Sequence, residues 1–195
     1  ITVWANDTSN NWNSSIVFFF IYNKCITGSD PPINGNWVIS NTTICSNTII
    51  TLNGNLTING NLSFYNVTLE LNGSIGTERT IQANSGGNLT IMDGSNITLY
   101  NTTFPNYYKF IVLLGSKFQM ENSSASYYGY NDTVSPNYGR GLYIGCDNAT
   151  IRGNEFKTYN DFAYGIQLYN NDNVLIENNT IQTAGTYSGG IILRT

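Results

Sequence analysis

One pattern occurs three times at nearly one spacing: Gly141-Leu142-Tyr143-Ile144, Gly165-Ile166-Gln167-Leu168 and Gly190-Ile191-Ile192-Leu193. Apolar residues alternate inside each copy, and no helical periodicity runs through the unit. A unit this short cannot bury its apolar face alone, so the period predicts a parallel β-solenoid whose coils cover one another. An offset of 25 places Ile151 on Ile176, Phe156 on Ile181, Asn148 on Asn173 and Asn154 on Asn179. Inward side chains are therefore expected at Leu142, Ile144, Ala149, Ile151, Phe156 and Ile166. The same register adds Leu168, Val174, Ile176, Ile181, Ile191 and Leu193. Each should lie about 4.8 Å from its counterpart in the next coil.

A short strand and turn also recur upstream, in 62–66, 97–101 and 118–122. Aligned on these, one column reads Asn66, Asn101, Asn122, Gly153 and Asn178. Gly and Asn tolerate a left-handed backbone, so the column predicts a tight corner between two strands. Irregular upstream spacings imply insertions in the loops, among them a tyrosine-rich one at 126–140. Residues 1–48 lack the repeat and hold Trp4, Trp12, Trp37, Pro31, Pro32 and the apolar run 16–22. We read 1–48 as an N-terminal cap whose apolar run covers the first coil, and 49–195 as the solenoid.

The run Gly-Ile-Gln-Leu at 165–168 followed by Asn-Asp-Asn-Val-Leu-Ile-Glu-Asn-Asn-Thr-Ile at 171–181 resembles the right-handed parallel β-helix repeat of the NosD-like and carbohydrate-binding/sugar-hydrolase superfamily. The resemblance covers 141–195 well and 49–125 loosely. It implies an all-β chain wound as a right-handed parallel β-helix. That superfamily holds lyases, hydrolases, binding modules and surface-layer or adhesin-type proteins, so the resemblance implies no single activity.

With 8 Lys and Arg against 12 Asp and Glu, the chain offers neither a nucleic-acid groove nor a polybasic membrane patch. The run 16–22 is far shorter than the roughly 20 residues that span a bilayer, so no transmembrane segment is expected. Without an initiator Met or a basic leader, the chain is expected to begin after a removed signal peptide. The apolar strand near 190–195 needs cover, so the stack is expected to continue beyond Thr195 or to be completed by another subunit.

Cys25 and Cys45 lie close enough to close a short loop, and a disulfide is expected there, two buried thiols being the alternative. Cys146 is expected to pack as a small residue. With no His and no CxxC, zinc is disfavoured, and no cofactor is expected.

Asn-x-Ser/Thr acceptor motifs number fourteen: Asn6, Asn13, Asn41, Asn55, Asn61, Asn66, Asn72, Asn88, Asn96, Asn101, Asn122, Asn131, Asn148 and Asn178. Random placement would give on the order of six, so N-glycans are expected, with Asn6, Asn13 and Asn131 as loop sites. Asn also suits corners and Thr suits outward strand positions, so a solenoid generates some of these motifs without sugar. Glycans and a disulfide together place the protein outside the cell. Few charges with abundant Asn, Thr, Ser and Tyr also resemble the surface glycoproteins of archaea, particularly acid-living thermophiles.

An enzyme on this fold would set acids along one outward face. Asp147 and Asp172 share a column, as do Arg152 and Glu177. The acids could act as a pair or bind a cation, or they could serve the turns while Arg152 and Glu177 form a cross-strand ion pair. Tyr127, Tyr128, Tyr130, Tyr138, Tyr159, Phe162 and Tyr164 could stack on sugars or form an interface, and an interface is the favoured expectation. The expectation overall is a non-enzymatic extracellular glycoprotein, a rigid block of a surface layer, filament or adhesin. It would associate with itself or with neighbouring surface subunits. The alternative is a polysaccharide lyase or hydrolase, or a glycan-binding module.

Overall fold

The computed structural model describes residues 2–6, 12–16, 25–73, 77–103, 106–130 and 138–194. Strands β1 (Thr2–Asn6) and β2 (Trp12–Ile16) form an antiparallel pair with Asn6 opposite Trp12. All later strands pair in parallel, in units that succeed one another along the chain. The first unit holds β3 (Trp37–Ile39) and β4 (Thr43–Leu52), the second β5 (Leu56–Ile58) and β6 (Asn61–Leu71). The third holds β7 (Arg79–Ala83), β8 (Asn88–Met92) and β9 (Asn96–Leu99), the fourth β10 (Tyr108–Val112), β11 (Lys117–Glu121) and β12 (Ser124–Ser126). After a 3₁₀ turn at Tyr138–Arg140 come β13 (Leu142–Ile144), β14 (Thr150–Arg152) and β15 (Glu155–Thr158). The sixth unit holds β16 (Tyr164–Tyr169), β17 (Leu175–Glu177) and β18 (Thr180–Thr183), and β19 (Gly189–Arg194) opens a seventh. No α-helix occurs among the described residues.

The first strand of every unit joins a seven-stranded sheet, and the remaining strands join a ten-stranded one. The long β4 and β6 explain the second sheet. Their first halves continue through β8, β11, β14 and β17, and their second halves through β9, β12, β15 and β18. Each unit thus lays three rungs on three ladders.

Inward positions line up rung by rung. In the seven-stranded sheet the column runs Trp37, Leu56, Ile81, Phe110, Leu142, Ile166, Ile191. On the second ladder it runs Cys45, Phe64, Ile91, Met120, Ile151, Ile176, and on the third Ile50, Leu69, Ile97, Ala125, Phe156, Ile181. Apart from Ile191, all belong to or pack against one hydrophobic cluster, so both sheets turn their alternate residues to a shared core. Leu142, Ile166 and Ile191 follow one another at nearly equal steps along the chain, as the repeat requires. Upstream the step varies, being shortest from Trp37 to Leu56 and longest from Phe110 to Leu142. The extra residues of the longest step lie between β12 and β13.

Several expectations are corrected. Parallel pairing starts at Trp37, ahead of the expected boundary at Ile49, because β3 and β4 already supply inward columns. The N-terminal segment carries a hairpin, β1–β2, and most of the apolar run 16–22 lies outside the described residues. Residues 97–101 do not align with 62–66: Leu62 pairs with Leu89, and Ile97 with Leu69 on the neighbouring ladder. Both ladders share an alternating strand followed by a turn, which sequence alone does not tell apart. Of the twelve inward positions, Ile191 and Leu193 are 48% and 74% exposed, because β19 is paired on one side only, by β16.

The Cys25–Cys45 disulfide is present. Cys45 occupies an inward position of β4, so the bond ties the preceding segment onto the core column itself. An antiparallel bridge between Thr27 and Ile44 reinforces the junction, and Ser29 N–H donates to Thr43 Oγ1 at 3.1 Å.

Ile151 is fully buried in the middle of its column. Ile151→Asp should cost more than about 3 kcal/mol in a urea titration, whereas Thr150→Asp, outward on the same strand, should cost under about 1 kcal/mol. Equal effects of the two would mean that the register is shifted by one residue.

Candidate functional site

The corner joining the second and third ladders is the most repeated local structure. In β6 the inward residues are Leu62 and Phe64, then Val67, Leu69 and Leu71, so the alternation slips by one residue between Tyr65 and Val67. Asn66 absorbs the slip with φ 53°. The equivalent residues Asn47, Asn122, Gly153 and Asn178 have φ of 50°, 47°, 67° and 54°. In the third unit Asp93 and Gly94 are both left-handed, which adds one residue to the corner. Asn101 is not a member of this column. It lies beyond β9, where its Oδ1 accepts from Thr103 N–H at 3.1 Å.

A kinked corner strands backbone groups in a dry interior, and each must be paired. The residue after the left-handed one does this: Ser95, Ser123 and Asn154 are buried there. Ser95 Oγ donates to the Met92 carbonyl at 2.6 Å, while the Val67 N–H donates to Ser95 Oγ at 3.1 Å. Asn154 Nδ2 donates to the Met120 carbonyl at 2.8 Å, and its Oδ1 accepts from Ser123 N–H at 3.0 Å. Asn179 repeats this toward the Ile151 carbonyl and Asn154 N–H, at 2.8 and 2.9 Å. The offset of 25 paired Asn154 with Asn179 but gave no reason for the pairing. The reason is that both follow a left-handed residue.

Outward amides also bond from rung to rung. Asn66, Asn72, Asn84 and Asn88 donate to Asn47, Asn53, Asn59 and Asn61 at 2.9, 2.8, 2.8 and 2.6 Å. Among the acceptor-motif residues, Asn41, Asn61, Asn66, Asn72, Asn101, Asn122, Asn148 and Asn178 are exposed, and Asn55, Asn88 and Asn96 are half-buried. Asn6 and Asn13 lie in β1 and β2 rather than in loops, and Asn131 lies outside the described residues.

The candidate acids serve neighbouring rungs as well. Asp147 Oδ1 accepts the Asp172 N–H at 2.8 Å, and Asp161 does the same for Thr186 at 2.7 Å. Arg152 lies beside Glu177, as the offset placed it, at 3.6 Å, but its closer partner is Glu121 on the preceding rung. A hydrogen bond from Gln119, followed by Arg152, holds the Glu121 carboxyl below the usual glutamate range. Burial pushes the Cys146 thiol up, and the residue packs in the core cluster. Among the described residues no three His, Cys, Asp or Glu gather as metal ligands.

The aromatic residues mostly meet one another. Tyr127 stacks on Tyr159 at 4.5 Å, Tyr130 on Tyr107 at 4.1 Å, and Phe162 on Tyr187 at 5.1 Å. Tyr138 packs edge-on against Tyr143, and Arg194 lies over the Tyr164 ring. Tyr128 belongs to neither an interface nor a sugar platform: it is fully buried, and its hydroxyl donates to the Gly165 carbonyl at 2.8 Å. An open groove of about 650 Å³ runs beside β8, β11 and β14 past Thr90, Gln119, Thr150, Lys117, Leu114 and Asp147. A second, of about 640 Å³, shares Leu114 and Asp147 and reaches Asp172 and Arg194.

Comparisons with family models, with curated proteins and with solved structures found no match to this chain.

Two outcomes follow from the corner and its ion pair. Asn154→Leu leaves the Met120 carbonyl and Ser123 N–H unpaired, and should destabilise the protein by about 2–4 kcal/mol in urea. The Glu121 carboxylate is more acidic folded than unfolded. The stability it contributes is therefore present above the ordinary glutamate pKa of about 4.3 and lost as pH falls through the lower folded value. Urea midpoints measured down the acid range should fall less steeply in Glu121→Gln than in the parent protein.

Proposed function

We propose that the chain is an extracellular structural glycoprotein, a rigid segment of right-handed parallel β-helix used as a building block of a cell-surface layer, filament or adhesin. The handedness is the one that parallel strands joined by crossovers adopt in nearly all proteins. One observation carries the functional reading. The polar groups that an enzyme would aim at a substrate, Asp147, Arg152 and Glu121, are instead bonded to a neighbouring rung, where they hold the stack together. The disulfide suits an oxidising compartment, and no helix among the described residues is long and apolar enough to cross a membrane. Exposed Ile191 and Leu193 extend columns that are buried in earlier rungs. Such a strand, paired on one side only, suits association with a neighbouring surface subunit.

A polysaccharide lyase or hydrolase, or a glycan-binding module, would use the groove along Asp147 and Asp172. Protein isolated from its native source should fractionate with the cell surface, carry several Asn-linked glycans and leave polysaccharides uncut. The double variant Asp147→Asn/Asp172→Asn should assemble as the parent does. Cleavage of a polysaccharide by the parent, lost in the double variant, would establish the enzyme instead. A bare polypeptide confined to the cytoplasm would end the surface reading.

A further inference from the structure

We infer that the left-handed corner is a row of glycan attachment sites, with Asn66, Asn122 and Asn178 carrying sugars at every second rung and a glycine between them leaving room for each sugar. This rests on the reading of the protein as an extracellular glycoprotein and says which acceptors that reading uses. From Asn66 onward Asn and Gly alternate along the column, as Asn66, Gly94, Asn122, Gly153 and Asn178, and Asn47 before them heads no acceptor motif. Each of the three asparagines is exposed and heads an acceptor motif, with Thr68, Ser124 and Thr180 at its third position.

The glycine of the next rung leaves space beside the Asn122 and Asn66 side chains. A Cβ at Gly153 would lie 2.6 Å from Asn122 Oδ1, so the Asn122 amide leans across the glycine of the next rung. Asn66 leans the same way toward Gly94, where a Cβ would be 3.9 Å from its Oδ1. The amide oxygen is the atom on the glycine side, and Asn66 Nδ2, which would carry the sugar, donates to Asn47 Oδ1 at 2.9 Å with one of its two protons, leaving the other to be replaced by the sugar. An open groove of about 440 Å³ follows this line past Gly94, Asn122, Gly153 and Asn178 and includes Ser124 and Thr180.

Spacing separates this row from Asn61 and Asn88. Adjacent rungs are about 4.8 Å apart and alternate rungs about 9.6 Å, and a pyranose ring with its substituents is wider than the first distance. Asn61 and Asn88 sit on adjacent rungs, with Asn88 donating to Asn61 at 2.6 Å and Asn61 donating to Thr42 at 3.2 Å. Two sugars do not fit side by side at that spacing, so we assign sugar to no more than one of Asn61 and Asn88. In the attachment step the donor is an oligosaccharide activated as an anomeric phosphate ester of a lipid carrier. The bond from Nδ2 to the anomeric carbon forms as the ester bond breaks. The phosphate leaves with the electron pair, and one amide proton is released.

Intact-glycopeptide mass spectrometry of the protein from its native source tests the row. Sugar on Asn66, Asn122 and Asn178, with no more than one of Asn61 and Asn88 carrying sugar, is the expected result. Sugars on both Asn61 and Asn88, or any of the three row members bare beside sugars elsewhere, would overturn the row while leaving the glycoprotein reading in place. No sugar at any acceptor would overturn both. Asn122→Gly keeps a residue suited to the left-handed corner while removing the acceptor. It should lose one glycan's mass and remain folded, and an unchanged glycan mass would also overturn the assignment.

Discussion

Register between rungs is the constraint on which the rest of this structure depends. Each strand from β3 onward finds its backbone partners in a neighbouring unit, and none of these strands pairs with its neighbour in sequence. Because side chains alternate with period two, a slip of one residue would turn every inward column outward at once. What makes the register repeatable is the corner. A left-handed residue shifts the alternation by one, and a buried polar residue directly after it pairs the groups that the shift releases. The apolar columns then supply the driving force, stacking Cys45 through Ile176 and Ile50 through Ile181 around one core.

The regular part of this arrangement was legible in the sequence because its last units keep nearly equal length. Leu142, Ile166 and Ile191 share a column as the period required, and Ile151 and Phe156 lie where the offset put them. Farther upstream the period fails as a guide, because insertions change the length of each unit while two ladders carry the same strand-and-turn signature. Placing Ile97 with Leu62 was the result. The third unit uses Asp93 and Gly94 for its corner, so a search for asparagine there finds Asn101, which does another job. In sequence Trp37 and Cys45 look like parts of a cap because the first unit is the shortest, and its likeness to later ones is visible only once the strands are paired.

The candidate site was less legible than the fold, and the reason is chemical. Asp147, Asp172, Arg152 and Glu177 share columns as expected, but column membership does not say whether a polar group faces substrate or backbone. In the folded chain Asp147 accepts a backbone N–H of the next rung, and Arg152 has Glu121 as its closer partner. Glu121 stands before Asn122 as Arg152 stands before Gly153, so the corner column already sets the two side by side, whereas the offset of 25 joins Arg152 only to Glu177. Tyr128 reads in sequence like its half-buried neighbours Tyr127 and Tyr130, yet it fills the core. The same polar chemistry therefore appears throughout as structural bonding: amide to amide, carboxylate to backbone and guanidinium to carboxylate, each from one rung to the next.

The most direct test of this account is the distance between spin labels placed along one outward column of the third ladder. Thr51 pairs with Glu70, Glu70 with Thr98, Ser126 with Lys157, and Lys157 with Gln182, and the Thr98 and Ser126 hydroxyls share a hydrogen bond of 3.0 Å. Cysteine pairs at positions 51 and 182, 70 and 182, and 98 and 182, in a background with Cys146 replaced by Ala, span five, four and three rungs. Stacked rungs predict mean separations of about 24, 19 and 14 Å, falling by about 4.8 Å per rung although the sequence separations are far larger. Separations that do not follow the rung number would contradict the register and, with it, every column described above.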